Sequence, residues 1–285
     1  MKKYKTDWYL YYLINVTLII LVSFPIYWAF VSSIKPPNEL ITNTPTLFPI
    51  NPTFENYERI WNLEPTSSRG NVRSAFTNSA IVSIGTVVLS AIISTLAAYA
   101  LTILRTPFRH FIFLLIIMPI LIPGISLLIP LYKLVKELGL MNSYLGLILI
   151  HSTGMLTLGV FLMRNAFMSI PTSLREVALL EGSSELRIMF TVMLPLAIPG
   201  LLTLMVFALY GSWNDFILAF LFVNTIDMEM LNVFLMKLTF AGSQFDTFWG
   251  LLNAGAIISF VPIIVFYIFL QQYFVRGVTG SAVKE

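Results

Sequence analysis

Ile170-Pro171-Thr172-Ser173-Leu174-Arg175-Glu176-Val177-Ala178-Leu179-Leu180-Glu181-Gly182-Ser183-Ser184 is the one long polar stretch in the interior of a chain that otherwise looks built for lipid. It runs on through Phe190 to Leu194-Pro195 and Ile198-Pro199-Gly200. Outward from it, consecutive charged residues leave six charge-free windows, 8–34, 74–104, 110–132, 138–163, 188–214 and 247–275. The shortest, 110–132, holds 23 residues, and a spanning helix needs about 20. Backbone polar groups must be satisfied inside lipid, so helices are what these windows form there. The expected fold is an all-α integral membrane protein, one transmembrane domain over residues 1–285. Its six spans lie at about 10–33, 77–101, 110–131, 144–165, 198–222 and 247–271, with the polar loop at 166–197 and a tail at 273–285.

Composition agrees. The 285 residues are 57% hydrophobic and 11% charged, with a mean hydropathy of +0.84, where soluble domains carry roughly a quarter charged residues. A formal charge of +3 is too small to argue for nucleic acid. Lys2, Lys3, Lys5, Arg105, Arg109, Arg164, Arg175, Arg187, Arg276 and Lys284 fall on one side of the expected spans, ten basic residues against seven on the other. That asymmetry predicts cytoplasmic termini, and a cytoplasmic 166–197 loop. The apolar window at 8–34 is too long for a cleaved signal peptide and lacks a small-residue cleavage site, which predicts a retained first span. With no cysteine, disulfides and thiolate metal sites are excluded.

Segment 34–76 reads as an external loop with a short helix around Phe54–Leu63. Pro119, Pro123 and Pro130 put three helix-breaking positions in the third span. Such breaks persist in membranes where protein or a water-filled cavity covers the freed backbone, so the segment either lines a pathway or is kinked. Segment 223–246 reads as a folded loop, and 273–285 as unstructured on its own. Ser173 with Glu176 three residues on fits a capping box, predicting a helix from about Leu174. Gly182 then sits where a helix ends in a left-handed cap. A second helix from about Ser184 lines up Leu186, Met189, Phe190 and Met193, with Glu185 and Arg187 opposite. By residues alone, the pair is either an amphipathic loop on the membrane or a docking element. A helix this short does not hold in water unaided, so something clamps it.

Glu176-x-Ala178-x3-Glu181-Gly182, followed by Phe190, Leu194-Pro195 and Pro199, resembles the Glu-Ala-Ala loop of ABC importer permeases. Phe24-Pro25-Ile26-Tyr27-Trp28, Asn56-Tyr57, Asn78-Ser79, Ala98-Tyr99-Ala100, Pro130-Leu131-Tyr132, Leu138-Gly139-Leu140, Leu145-Gly146-Leu147, Trp213-Asn214-Asp215-Phe216 and the ending Gly277-Val278-Thr279-Gly280-Ser281-Ala282-Val283-Lys284 are similar to the carbohydrate-uptake branch. The likeness runs over nearly the whole chain and is nearest to the second permease of maltose-type importers. Val177 for the motif's first Ala, Glu181 for its Asp, and the final Glu285 depart from the pattern. The resemblance implies the ABC type I importer permease fold. It gives Glu176, Ala178, Glu181, Gly182 and Ser183 the task of coupling to a separate ATPase. It also implies the partners: a second homologous permease, two ATPase subunits carrying ATP and magnesium, and an extracytoplasmic solute-binding protein, in a bacterial or archaeal cell membrane.

No Gly-x4-Gly-Lys-Ser/Thr occurs, so this chain does not itself cradle ATP phosphates and is expected to be non-catalytic, with no cofactor or metal of its own. His110 and His151 stand apart and read as packed or interfacial. Asp215 falls about 25 Å along a fifth span begun at Ile198, where a carboxylate either marks a pathway or snorkels to the interface. Trp213 and Asn214 beside it offer an aromatic face and an amide suited to a neutral polyhydroxylated solute; Asn253 and Asn78 are lesser pathway candidates. The expected function is import of a sugar or oligosaccharide. A polyol, glycerol-derived or other compatible solute is the alternative cargo, and an ion-coupled secondary transporter the rival class.

Overall fold

The computed structural model describes residues 3–40, 42, 44–66, 68–104, 106–240 and 248–282. Arg105, Asp246 and the last three residues of the expected tail lie outside the described residues. Within them every regular element is helical: α1 (Lys3–Ser33), α2 (Glu55–Trp61), α3 (Val72–Thr102), α4 (Arg109–Ile117), α5 (Leu128–Glu137), α6 (Tyr144–Met168), α7 (Thr172–Leu180), α8 (Glu185–Leu196), α9 (Ile198–Trp213), α10 (Ile217–Phe222), α11 (Leu231–Phe240) and α12 (Phe248–Ala282). Four helices are long and apolar enough to cross a membrane, starting at Trp8, Val72, Tyr144 and Trp249. Two bent pairs raise the count to six if each is one span.

One compact unit comprises residues 1–73 and 234–261. Large apolar side chains of α1 from Tyr9 to Leu21 are exposed around the helix, as suits a lipid-facing segment. The loop after α1 is folded by buried polar groups. Asn56 at the start of α2 donates both amide protons, to Ser33 O (2.9 Å) and Lys35 O (2.8 Å), and so covers carbonyls left open at the end of α1. The Glu39 carboxylate accepts from the Ile50 and Asn51 amides (2.9 and 2.8 Å). Buried Lys35 bonds to Thr46 O and lies over the Trp28 ring.

The other unit comprises residues 74–233 and 262–285. Glycines set its helix packing. A Cβ on Gly85 would strike Ile148, one on Gly159 would strike Ser94 and Leu204, and one on Gly200 would come within 2.5 Å of the Ala166 Cβ. Small residues at these crossings let backbones approach closely, the packing device of helices in lipid. The pairings rise together between α3 and α6 and run oppositely between α6 and α9. The C-terminal ends of α3 and α6 and the start of α9 therefore share one end of this unit. Ala98, Tyr99, Val160, Met163, Phe167, Ile170, Ile188, Met193 and Leu204 are buried together there, and the polar stretch is built on them. Val82, Val135, Leu147, Ala219, Phe222 and Met230 form a second cluster toward the opposite ends of α3 and α6.

The helices differ from the expected spans in three places. The third expected span is broken: α4 passes through 3₁₀ turns at Met118–Leu121 and Gly124–Leu127, and the chain bends by 97° before α5. Pro119 and Pro123 cannot donate to a continuing helix, whereas Pro130 falls within the first turn of α5, where no donor is missed. The fifth expected span ends at Trp213, and α10 is a separate short helix. The segment 223–240 is folded as expected, with a 3₁₀ turn at Ile226–Met228 and then α11. The segment from 273 was expected to be unstructured, yet α12 continues to Ala282. A helix once nucleated adds one bond per residue, and Gly277 and Gly280 weaken it without the block a proline imposes.

Candidate functional site

The polar stretch forms α7, a tight turn and α8. Pro171 precedes α7 with φ −59° and ψ 129°, and Thr172 already opens the helix. The capping box expected from Ser173 and Glu176 is not formed, because the proline-fixed entry starts the helix two residues early. At the other end Gly182 has φ +81°, with Gly182 N donating to Leu179 O and Ser183 N to Ala178 O, both at 3.0 Å. This is a Schellman cap, as the sequence predicted for this glycine. A Cβ there would meet nothing within 4 Å, so conformation alone calls for glycine.

α7 buries one small residue and exposes several large ones. Ala178 sits in the cluster of Phe167, Ile188 and Met193 and anchors the helix to its own chain. Leu174, Val177 and Leu180 are 42%, 54% and 89% exposed, and Glu176, Glu181 and Gly182 are exposed as well. Spacing of three residues brings the three apolar groups close together on one side of α7. Val177, the departure from the family pattern, lies on that outward side.

α8 holds α7 in place through a π-turn at Met189–Met193. The wider turn puts residues five apart over one another, so Ile188, Met189 and Met193 are buried while Leu186 and Phe190 are exposed. The expected stripe of Leu186, Met189, Phe190 and Met193 is therefore split, because a π-turn has a different period from the α-helix that the pattern assumed. Glu185 closes the element. It accepts from Arg175 Nε at 3.3 Å and from the Arg175 terminal guanidinium nitrogen, and the Tyr99 hydroxyl of α3 donates to its Oε2 at 3.0 Å. The hydrogen bond from Arg175 is the largest cause holding the Glu185 carboxyl below its usual range, and the same bond raises Arg175 above its own. Tyr99 also packs edge to face on Phe167, ring centroids 5.6 Å apart. Sequence reasoning missed this three-residue clasp. The tyrosine inside Ala98-Tyr99-Ala100, a phenol at the end of an apolar span, was the available signal.

The five pathway candidates fall in different surroundings. Buried Asn78 donates to Asp227 O (2.8 Å) and Glu229 O (3.0 Å) and accepts from the Tyr144 hydroxyl (2.7 Å), bracing the loop before α11. Trp213 is buried edge to face on Phe76. Asp215 accepts from the Leu218 and Ala219 amides (3.3 and 2.9 Å), capping α10, and this local competition for backbone donors ends the fifth span early. His151 Nε2 lies 3.8 Å from Asp215 Oδ2. Asn232, absent from the sequence reading, donates to the carbonyls of Trp213 and Asp215 across the break. Asn214 is exposed and Asn253 half-buried, each donating to a carbonyl four residues back. Asn253 belongs to the other unit. Among the described residues, no group of three or more His, Asp or Glu side chains is placed to hold a metal ion.

Residues 90–280 match the family described as binding-protein-dependent transport system inner membrane component, and the chain belongs to that family. It is thus a multi-pass inner-membrane permease subunit of the ABC importer class, with the type I importer permease fold. The chain is 33% identical over 264 residues to the arabinooligosaccharides transport system permease protein AraQ of Halalkalibacterium halodurans, covering 92% of this chain and 91% of that protein. It is 32% identical over 272 residues to the osmoprotective compounds uptake permease protein GgtD of Synechocystis, covering 94% and 90%. A chain from the crystal structure of a bacterial ABC transporter that imports the acidic polysaccharide alginate shares the fold, with a TM-score of 0.84, 23% identity and coverage of 96% and 98%.

Proposed function

We propose that this chain is one of two permeases in an ATP-driven importer of a neutral sugar or oligosaccharide, and that α7 is its docking and coupling helix. One observation carries the reading: the packed element α7–α8 leaves Leu174, Val177 and Leu180 exposed beside the carboxylates of Glu176 and Glu181. Exposing apolar side chains in water is unfavourable unless a partner covers them. A separate ATPase subunit is that partner. Ala178 then acts from beneath as the anchor, and Glu181, Gly182 and Ser183 set the angle at which α7 is presented. ATP and magnesium belong to the two ATPase subunits, which close and move α7. The displacement passes to α6 and α9, the helices joined to it, and access switches between the two sides. The loop, the termini and the ATPases share the cytoplasmic side, and an external solute-binding protein delivers cargo from the other.

Sugar as cargo rests on the similarity to the arabinooligosaccharide permease. Similarity to the osmoprotective-compound permease supports a second reading, a compatible solute. Asn214, exposed at the break after α9, is the foremost pathway candidate, with Asn253 next. Asn78 and Asp215 are engaged with backbone groups, and Trp213 is packed on Phe76. Affinity purification in mild detergent tests the class. Co-purification of a second permease, ATPases and a binding protein is expected, and the solute that stimulates ATP hydrolysis names the cargo. Purification of this chain without any ATPase, from cells importing its solute, would contradict the reading.

A further inference from the structure

The clasp of Tyr99, Glu185 and Arg175 joins the coupling element to a helix that is not its neighbour in sequence. α7 and α8 are continuous in sequence with α6 before them and α9 after them, so any displacement of α7 reaches those two directly. α3 ends at Thr102, far from the element in sequence, yet Tyr99 in its last turn donates its hydroxyl to Glu185 at 3.0 Å. The tyrosine is 4% exposed, with its ring held by Phe167. Its hydroxyl has a carboxylate acceptor that is itself fixed by the Arg175 guanidinium of α7. If the loop moved and left α3 behind, the hydroxyl would lose its charged acceptor, a stronger partner than a neutral group offers.

We propose that Tyr99 is a positioning residue that makes α3 a third driven helix. The Glu185 carboxylate relays displacement of α7 into the membrane end of α3 by a tether that resists both pull and push. Apolar contact alone lets helices slide past one another, whereas a charge-assisted hydrogen bond of fixed length does not. The inference rests on the coupling reading above, and its test separates the two. Tyr99→Phe removes one hydroxyl and keeps the ring on Phe167. Glu185→Leu removes the acceptor by another route.

Each variant is assembled with its partner permease, ATPases and binding protein in vesicles. Three quantities are measured: ATPase co-purified, basal ATP hydrolysis, and solute imported per ATP. Expected are wild-type co-purification and basal hydrolysis. Solute per ATP should drop about tenfold in Tyr99→Phe, the equilibrium factor for one hydrogen bond to a charged group. The double variant should be no worse than Glu185→Leu alone, since both changes cut one tether. Wild-type solute per ATP in Tyr99→Phe would overturn the proposal and leave the coupling reading standing. Loss of ATPase from the purified Tyr99→Phe complex would also overturn it, assigning the clasp to docking. Failure of the unaltered chain to associate with any ATPase would remove both.

Discussion

Gly182 is the position where the coupling account can be tested by degrees. Its φ of +81° lies in the left-handed region, and a Cβ there meets open space, so a substitution changes backbone energy with no steric term added. An L-residue in this conformation costs about 1–2 kcal/mol, a factor of roughly 5–30 in the population that keeps the cap. Gly182→Ala should carry that full amount. Gly182→Asn should carry less, because asparagine visits the left-handed region more readily. Gly182→Pro goes further: its ring fixes φ near −65° and removes the N–H that donates to Leu179 O. Opening the cap frees the angle between α7 and α8 while Ala178 still anchors the helix. The assay is solute imported per ATP in vesicles holding the assembled transporter, with co-purified ATPase as the control for assembly. The expected order of coupling is wild type, Asn, Ala, Pro. A Gly182→Pro transporter that assembles and imports at the wild-type ratio would refute the reasoning.

Further expectations follow from other positions. Asp215→Ala removes the cap of α10 and should lower the stability of the solubilised complex by about 1 kcal/mol, read as a lower thermal midpoint. If Asp215 met substrate instead, import would fall with the midpoint unchanged. Gly200→Ala sets a new methyl against Ala166 and should destabilise by about 1–3 kcal/mol; adding Ala166→Gly should restore the midpoint, and no rescue would mean that the helix contact is wrong. Because Glu185 is held below its usual carboxylate range by Arg175, the clasp contributes fully at neutral pH. It is lost as pH falls through that lowered value. Solute per ATP should stay flat from neutral down to about the ordinary carboxylate value of 4.5. A decline beginning near neutrality would place the titrating group elsewhere.

Much of this fold is written in residue order. Charge-free windows mark the spans because an isolated charge in lipid is costly wherever it sits. Gly182 was readable because its backbone requirement is local. Pro119 and Pro123 announced a break for the same reason, although not its angle. What stayed hidden depended on partners distant in sequence or on competing local forces. Asp215 looked like a lone carboxylate in an apolar run, and only the backbone donors of Leu218 and Ala219 make it a cap. Pro171 overrode the Ser173–Glu176 signal that follows it. The π-turn in α8 leaves no periodic trace, so Leu186 and Phe190 were grouped with residues from which the wider turn separates them. Tyr99 and Glu185 stand 86 positions apart, and no pattern along the chain joins them.

The central claim is that α7 is covered by a separate ATPase. Because the chain has no cysteine, a Leu180→Cys variant carries a single thiol at a position that is 89% exposed. The measurement is its rate of modification by a membrane-impermeant maleimide, in the purified chain and in the assembled transporter. The account predicts rapid labelling of the chain alone and strong protection once ATPase subunits are bound. Equal rates in the two states would contradict it.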